Sequence, residues 1–347
     1  MKKNKKILYS ILDWGLGHAT RSIPIIDELL NWGHEVVIGS NGRALYLLKE
    51  TYPELKFIEL PDYNIKYFTK SMFLNMALQW YKMPLAIHRE YLKVKEFLKN
   101  NSIDLIISDN RYGCYSKSIP SIIISHQLNL KTGNFVIDYF ANKINHFWIK
   151  KFDKIWVPDF EDSKISGELS KDSKLKNIRF IGAISRMKKK KLPIVRDIIV
   201  LLSGPEPQRS IFEKEIIIQL DNLPYNALIV GGKTEKYYKE KISPNIEYQS
   251  FLTGEMLNNA ILESKYIITR SGYTTLLDLV ALNKMALLIP TPGQTEQKYL
   301  AESLARKKIF PFQFQNELDI EKGIEKIDSY FGFEKIQNKN DLINRLF

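Results

Sequence analysis

Two short serine–glycine turns are the residues best suited to bind an anion. Ser203-Gly204 and Ser271-Gly272 each follow an apolar run and precede a helical pattern. Backbone N–H groups are free at a helix start, and the helix dipole favours negative charge there. The turns predict a cradle for a nucleotide diphosphate, with added charge from Arg209 and Arg270. For either turn alone, an ordinary strand–helix–strand unit is the competing interpretation.

Polar side chains beyond the second turn have the chemistry to hold a sugar. Asp278 lies in the predicted helix, where a carboxylate can accept both ribose hydroxyls or pair with a nearby lysine. Gln294, Glu296 and Gln297 follow the next strand, in a polar loop that either binds sugar hydroxyls or is simply solvated. Together with the turns, these residues favour a nucleotide-sugar site.

A candidate general base lies in the first half of the chain. His18 directly follows Gly17, in a glycine-containing turn after the first predicted strand. An imidazole can remove a proton from an attacking hydroxyl near neutral pH, provided that a carboxylate fixes its tautomer. Asp109 and Asp13 can both supply that carboxylate. His126, at the end of another strand, is a second candidate on the acceptor side.

Two runs of alternating strands and helices must position these residues. The strands predicted in the first run are 6–12, 34–39, 56–60, 105–108, 121–125, 154–157 and 178–181; those in the second are 198–202, 227–230, 245–248, 266–269 and 286–289. Ligands of open α/β sheets bind at the carboxyl ends of the strands. The pattern predicts an α/β protein of two Rossmann-like parallel-sheet domains that face an interdomain cleft.

The domain boundaries follow from charge and composition. We predict an acceptor-side domain at 1–184, a basic linker at 185–196, a nucleotide-sugar domain at 197–327, and a tail at 328–347 that packs back towards the first domain. The linker is rich in lysine and arginine, lacks acidic residues and contains Pro193. Such a segment is typical of a solvated connector.

The composition of the 347-residue chain is that of a globular protein, with 44% hydrophobic and 26% charged residues. Its single cysteine, Cys114, excludes an internal disulfide framework and any cysteine-rich metal site, and fits a reducing compartment. No convincing targeting signal and no long apolar run are present. We therefore expect a cytoplasmic protein, free or peripheral on the inner face of the membrane.

The formal net charge of +12 suggests a polyanionic partner, such as a nucleic acid, an anionic lipid or a phosphorylated substrate. An AT-biased genome, which encodes lysine-rich proteins, explains the same charge equally well. Residues 64–100 form a basic, aromatic and methionine-rich segment that fits an anionic membrane surface or simply covers the sheet. No aromatic platform or zinc spacing accompanies the lysine run, so we expect no nucleic-acid partner.

Two motifs resemble those of the GT-B glycosyltransferases. They are Gly17-His-Ala-Thr-Arg21 and Arg270-Ser-Gly-x-x-Thr275-x-x-Asp278, the latter followed by the Gln/Glu loop. The chain is most similar to the branch that contains the lipid II-forming N-acetylglucosaminyltransferase and related UDP-sugar enzymes. Ile181-Gly-Ala-Ile-Ser-Arg186 also resembles that branch, so the resemblance covers most of the chain.

The resemblance implies a role for each matching position. Asp278 would bind the uridine ribose, the two Ser-Gly turns the diphosphate, and Phe251 would lie in the loop lining the uracil. Gln294 to Gln297 would contact the ribose and the donor sugar. His18 would be the catalytic base, supported by Asp109.

The leading hypothesis is a metal-independent, inverting glycosyltransferase. It would move a sugar from a UDP-sugar to a hydroxyl of a glycan, a lipid or a lipid-linked acceptor, with no further cofactor. A nucleotide-sugar hydrolase or epimerase on the same fold is one alternative. A non-enzymatic protein that binds a nucleotide sugar or a polyanion is another.

Overall fold

A computed structural model describes residues 4–64, 79, 81–172, 174–234 and 236–333. They fall into two compact units, one up to Ile184 and one from Ser185 onward. Much of the predicted membrane-facing region 64–100, namely 65–78 and 80, lies outside the described residues. So does 334–347, which makes up most of the predicted tail.

The first unit contains a parallel sheet whose described strands have the order β3-β2-β1-β4-β5-β6-β7. From β1 the strands β2 and β3 are added in one direction, and from β4 the strands β5, β6 and β7 are added in the other. The carboxyl ends of β1 and β4 therefore flank the switch point at which ligands bind in such sheets. Its elements are β1 (Lys6–Ile11), α1 (Gly17–Asn31), β2 (Glu35–Ser40), α2 (Gly42–Thr51), β3 (Lys56–Glu59), α3 (Lys82–Asn100), β4 (Leu105–Asp109), β5 (Ser121–Ile124), α4 (Phe135–Ile149), β6 (Lys154–Val157) and β7 (Ile178–Phe180).

The second unit repeats this design with the described strand order β10-β11-β9-β8-β12-β13, in which only the β10–β11 pair is antiparallel. Its switch point lies between β8 and β12. The two Ser-Gly turns follow these neighbouring strands. The elements are β8 (Arg196–Leu201), α5 (Gln208–Asp221), β9 (Ala227–Val230), β10 (Lys239–Ser243), β11 (Ile246–Gln249), α6 (Gly254–Leu262), β12 (Ser264–Thr269), α7 (Tyr273–Leu282), β13 (Ala286–Leu288), α8 (Thr295–Arg306) and α9 (Ile320–Ile327).

Each unit buries its own core between its sheet and the flanking helices. In the first unit Tyr9 and Ile107 of the sheet pack with Ile26 of α1, and in the second Val200 packs with Phe212 of α5. Strands covered on both faces read as continuous apolar runs, which is why the sequence located them. The predicted α/β class with two parallel-dominated sheets is confirmed.

Three local predictions differ from the structure. Helix α1 begins at Gly17, so His18 lies in the first turn of that helix and not in the predicted glycine-containing turn. The predicted polar loop 294–297 is largely the first turn of α8. The predicted linker is not simply solvated: Lys188 exchanges two hydrogen bonds with the Asn258 side chain of α6.

Candidate active site

His18 and Asp109 are brought together at the switch point of the first unit. Ile11 at the end of β1 is in register with Asp109 at the end of β4, and α1 starts six residues after Ile11. This places the His18 Nδ1 atom 2.8 Å from the Asp109 Oδ1 atom. The Asp109 side chain is fully buried, whereas 15% of the His18 side chain is exposed.

Arg21, which the sequence analysis did not select, completes this cluster. It lies one helical turn after His18, on the same face of α1. Its Nε atom donates to Asp109 Oδ2 at 2.7 Å, and its second guanidinium branch contacts Asp109 Oδ1. Ser22 Oγ adds a further hydrogen bond to Oδ2 at 3.2 Å. The buried carboxylate is therefore held by donors on three side chains of α1.

The charges of the cluster fix its protonation. Burial alone would raise the pKa of Asp109, but Arg21 and His18 outweigh that effect and hold it well below its usual range. An ionised carboxylate only accepts hydrogen bonds, so the contact with Asp109 requires the proton on Nδ1 of His18 and leaves the lone pair on Nε2. The Arg21 guanidinium nitrogen that lies 2.9 Å from Nδ1 can then contact this atom only without a hydrogen bond. Burial, and then the nearby Arg21 charge, lower the pKa of His18 below its usual 6.5. The imidazole is neutral at pH 7 and can accept a proton.

The structure also distinguishes between the alternative partners. Asp13 accepts hydrogen bonds from the backbone N–H groups of Arg43 and Ala44, and so caps α2 and does not support His18. His126 is buried after β5, close enough that its charge contributes to lowering the pKa of His18.

A second buried ion pair holds the loop that follows Asp109. Arg111 and Glu90 are fully buried, 2.8 Å apart, and Arg111 Nε donates to the carbonyl of Ile11 at 2.8 Å. The loop after β4 is thereby tied to the end of β1. Asn110, with φ of +58°, turns the chain immediately after Asp109. This pair fixes the strand ends that carry the catalytic candidates.

The two predicted anion-binding turns of the second unit differ from each other. Gly272, the residue before α7, has no side chain that could cap the helix. The start of α5 already holds a carboxylate, because Glu206 accepts from the N–H of Ser210 at 3.2 Å. This carboxylate makes the Ser203-Gly204 turn the less favourable of the two predicted anion sites. The Ser203-Gly204 turn would let a ligand approach its backbone closely. Gly204 has φ of +99° and no side chain to fill the space towards Thr291.

Both predicted arginines have protein partners in the structure. Arg209 donates to the Glu206 carboxylate at 2.6 Å and to the carbonyl of Gly232 at 2.8 Å. Arg270 is fully buried and stacks on Phe212 with its guanidinium 3.9 Å from the ring centre. It also donates to the carbonyls of Ile289, Pro290 and Gln208. Arg270 therefore supports the backbone around the two Ser-Gly turns from the buried side and does not face solvent.

Asp278 lies on α7 as a half-buried carboxyl group whose one hydrogen-bond donor among the described residues is the Ser185 hydroxyl at 2.5 Å. Loss of hydration raises its pKa to about 6, although Ser185 and the charge of Arg186 oppose that shift. Ser185 and Arg186 open the linker, so the predicted ribose ligand is already in contact with the linker. A carboxylate with a raised pKa gains from additional donors.

The remaining predicted contacts lie around the start of α8. Gln297 accepts from the N–H of Thr291 at 2.9 Å and donates to Gln294, and its own carbonyl accepts from the Ser271 hydroxyl at 2.8 Å. Glu296 is in the first turn of α8. The Thr291 hydroxyl is buried with no hydrogen-bond partner in the described structure. Sequence reasoning missed this hydroxyl, which lies beside Gly204.

Two predicted residues have less specific surroundings. Phe251 follows β11, at the carboxyl edge of the sheet, and its ring meets that of Tyr237 edge-on with centres 5.7 Å apart. Thr275 lies in the first turn of α7.

In the described ranges, no three His, Cys, Asp or Glu side chains are grouped so as to hold a metal ion. None of the helices described is both long and apolar enough to cross a membrane.

Comparison with known proteins gives a consistent result. The family model described as "Glycosyl transferase family 1" matches residues 5–327. An uncharacterised glycosyltransferase of Methanosarcina acetivorans is 24% identical over 326 residues, which cover 84% of this chain and 79% of the relative.

The names of two further matches mention a UDP-sugar. One is a UDP-N-acetylglucosamine–N-acetylmuramyl-(pentapeptide) pyrophosphoryl-undecaprenol N-acetylglucosamine transferase of Bacillus cereus, 25% identical over 67% of this chain and 66% of the relative. The other is the crystal structure of Arabidopsis thaliana UGT89C1 complexed with UDP-L-rhamnose, with a TM-score of 0.65 and 13% identity over 99% of this chain and 93% of that one.

Proposed function

We propose a specific reaction for this chain, which belongs to glycosyl transferase family 1 and is a glycosyltransferase with the GT-B fold. It transfers a sugar from a UDP-sugar donor to a hydroxyl of a glycan, lipid or lipid-linked acceptor. The transfer inverts the anomeric carbon and needs no metal ion. The observation that carries the proposal is the His18–Asp109 contact of 2.8 Å, within a cluster that keeps the carboxylate ionised and the imidazole neutral.

In the proposed reaction, His18 is the general base. Its Nε2 atom takes the proton of the acceptor hydroxyl while the hydroxyl oxygen forms a bond to the anomeric carbon. The bond between that carbon and the UDP oxygen breaks on the opposite face, and UDP leaves with the bonding electrons. Asp109 stabilises the imidazolium that forms, as the acidic member of a catalytic triad does. Arg21 keeps Asp109 ionised throughout.

The second unit is proposed to bind the donor. Backbone N–H groups at the start of α7 and the Thr291 hydroxyl donate hydrogen bonds to the diphosphate, whose negative charge grows as UDP departs. Asp278 accepts from the ribose hydroxyls, which supply the donors that its carboxylate lacks. Phe251 lines the uracil, and the Gln294–Gln297 turn contacts the sugar. Helix and side-chain donors together take the role that a metal ion has in other transferases.

The choice of UDP is supported by the names of two similar proteins. The Bacillus cereus relative is named for UDP-N-acetylglucosamine, and the Arabidopsis thaliana structure contains UDP-L-rhamnose. We place the reaction in the cytoplasm, since the only cysteine, Cys114, is a free and buried thiol.

A donor panel tests the proposed function directly. The purified protein is incubated with UDP-, GDP- and TDP-sugars, with and without an acceptor mixture of glycans and lipids, in the presence of EDTA. UDP release that requires both a UDP-sugar and an acceptor, together with a product of inverted anomeric configuration by NMR, is the expected result. Rapid release of free sugar without acceptor would instead establish a hydrolase. Retained configuration or loss of activity in EDTA would contradict the proposed mechanism.

A further inference from the structure

Helix α4 exposes most of its apolar side chains, while Asn145 and His146 are buried. Val136, Phe140, Ile144 and Phe147 are 61%, 58%, 55% and 54% exposed, respectively. Their spacing of four, four and three residues places them on one face of the helix. We call these four residues the apolar stripe. Phe135, in the first turn of the helix, is 85% exposed.

The opposite face of α4 attaches to the unit by polar contacts. Asn145 donates to the carbonyl of Gln127 at 2.9 Å, and Asn142 both accepts from and donates to the backbone of Leu130. Asp138 accepts from the backbone and hydroxyl of Thr132. These side chains fix which face of the helix is buried. The orientation is specific, so the exposure of the apolar stripe is built into the fold.

Lysines surround the apolar stripe. Lys143, Lys150 and Lys151 are exposed on α4 and directly after it, and the Lys151 ammonium lies 4.5 Å from the centre of the Phe147 ring. A groove of about 550 Å³ beside the helix is also lined by Lys143, Lys150 and Lys174. The acids in the groove have partners: Asp138 is hydrogen-bonded to Thr132, and Asp172 lies 3.1 Å from His146.

We propose that α4 is a docking site for an anionic lipid bilayer. The apolar stripe enters the boundary between headgroups and acyl chains, and the lysines contact lipid phosphates, as expected of an interfacial amphipathic helix. At 15 residues the helix lies in the plane of the surface. A symmetric contact with a second copy is disfavoured, because it sets the lysines of one copy against those of the other.

This surface is distinct from the sequence-predicted region 64–100, most of which lies outside the described residues. The proposal also stands apart from the sugar-transfer reaction, because none of its residues belongs to the catalytic cluster. A protein without transferase activity would still bind lipid through α4, and the two proposals therefore fail separately.

Vesicle sedimentation of the full chain tests the proposal. The protein is mixed with vesicles of phosphatidylcholine alone or of equal parts phosphatidylcholine and phosphatidylglycerol. We expect binding to the anionic vesicles that weakens with added salt. The double variant Phe140→Ser, Ile144→Ser should lose more than about tenfold in affinity. The double variant Lys143→Glu, Lys150→Glu should lose the preference for anionic lipid.

A matched control removes exposed apolar side chains elsewhere. Tyr46 on α2 and Ile218 on α5 are 66% and 65% exposed, and Tyr46→Ser, Ile218→Ser should bind vesicles like the wild type. Circular dichroism melting verifies that each variant is folded. Absence of wild-type binding to anionic vesicles, or equal binding by the stripe variant, would overturn the proposal. The proposal would also be overturned if the wild-type protein formed a dimer in analytical ultracentrifugation, the stripe variant were a monomer, and neither protein bound vesicles.

Discussion

Asp109 ends β4 at the switch point of the first sheet and Asp278 lies on α7 of the second unit, yet the pKa values of these two carboxyl groups are shifted in opposite directions. Burial alone would raise the pKa of Asp109, but the charges of Arg21 and His18, together with their hydrogen bonds, hold it well below its usual range. In Asp278 burial outweighs Ser185 and Arg186 and raises the pKa to about 6. Neighbouring charges and hydrogen bonds decide the outcome, because burial disfavours the charged form of both groups.

The difference assigns different tasks to the two carboxylates. Asp109 has all its donors in the folded protein, so it remains ionised and orients His18 without help from a ligand. Asp278 accepts from the Ser185 hydroxyl but from no other donor in the described residues, so its charged form is stabilised further when a ligand supplies hydroxyl groups. A carboxylate whose hydrogen-bond donors are all within the protein suits a permanent catalytic support. A carboxylate that can still accept hydrogen bonds suits a binding site.

Asp109→Asn should have the largest effect. The substitution leaves the buried Arg21 charge without its partner, which costs about 3 kcal/mol or more. It also removes the group that fixes the His18 tautomer, and kcat should fall about 10²- to 10⁴-fold. Calorimetry of the unfolding of the first unit measures the loss of stability, and steady-state kinetics measure the fall in kcat. Wild-type activity in a correctly folded Asp109→Asn protein would contradict the assigned role.

Asp278→Asn should weaken donor binding with little change in kcat. A hydrogen bond from a ribose hydroxyl to a carboxylate contributes about 1.5–3 kcal/mol, so KM for the UDP-sugar should rise about 10- to 100-fold. The variant keeps the shape of the side chain and its contact with Ser185. If kcat fell instead while KM stayed constant, Asp278 would not be a ground-state ribose ligand.

Stability should depend on pH in opposite ways for the two groups. The folded-state pKa of Asp278 lies above its unfolded value, so its ionisation costs stability as pH rises from about 4 to above 6. Asp278→Asn should therefore raise Tm at about pH 8 but not at about pH 4. Asp109 has a depressed pKa and stabilises the fold at all pH values above its unfolded pKa. Its substitution should lower Tm at both pH values, and equal pH dependence of the two variants would contradict this interpretation.

Thr291→Val should produce the smallest effect, with opposite signs for stability and binding. The buried hydroxyl has no partner in the described structure, so its replacement should leave Tm unchanged or slightly raised. Loss of one donor to the diphosphate should weaken UDP binding by about 3- to 10-fold. Unchanged UDP affinity in Thr291→Val would remove this residue from the site.

The pairing of His18 with Asp109 could be predicted from the sequence, because both follow strands of a parallel sheet and such strand ends share one edge. The support from Arg21 could be found only from its helical spacing to His18. That signal was hidden because the sequence analysis placed His18 in a glycine-containing turn and not in a helix. The choice between Asp109 and Asp13 required the structure, since Asp13 caps α2.

The role of Arg270 was not predictable from the motif. Its position next to Ser271 suggests a charge for the anion, but contacts with Phe212 and with the carbonyls after β13 bury the guanidinium. These contacts join residues far apart in the sequence. Helix α4 shows a related limit: periodic spacing identifies an apolar stripe, but only tertiary contacts such as those of Asn145 determine which face is buried.

The most direct test of the central claim compares turnover and UDP binding in His18→Ala. If His18 is the base that Asp109 orients, kcat should fall about 10²- to 10⁴-fold, while UDP affinity measured by calorimetry stays within about twofold of the wild type. His88→Ala, which removes an exposed histidine of α3, should leave both quantities unchanged. Undiminished turnover in a folded His18→Ala protein would contradict the proposed mechanism.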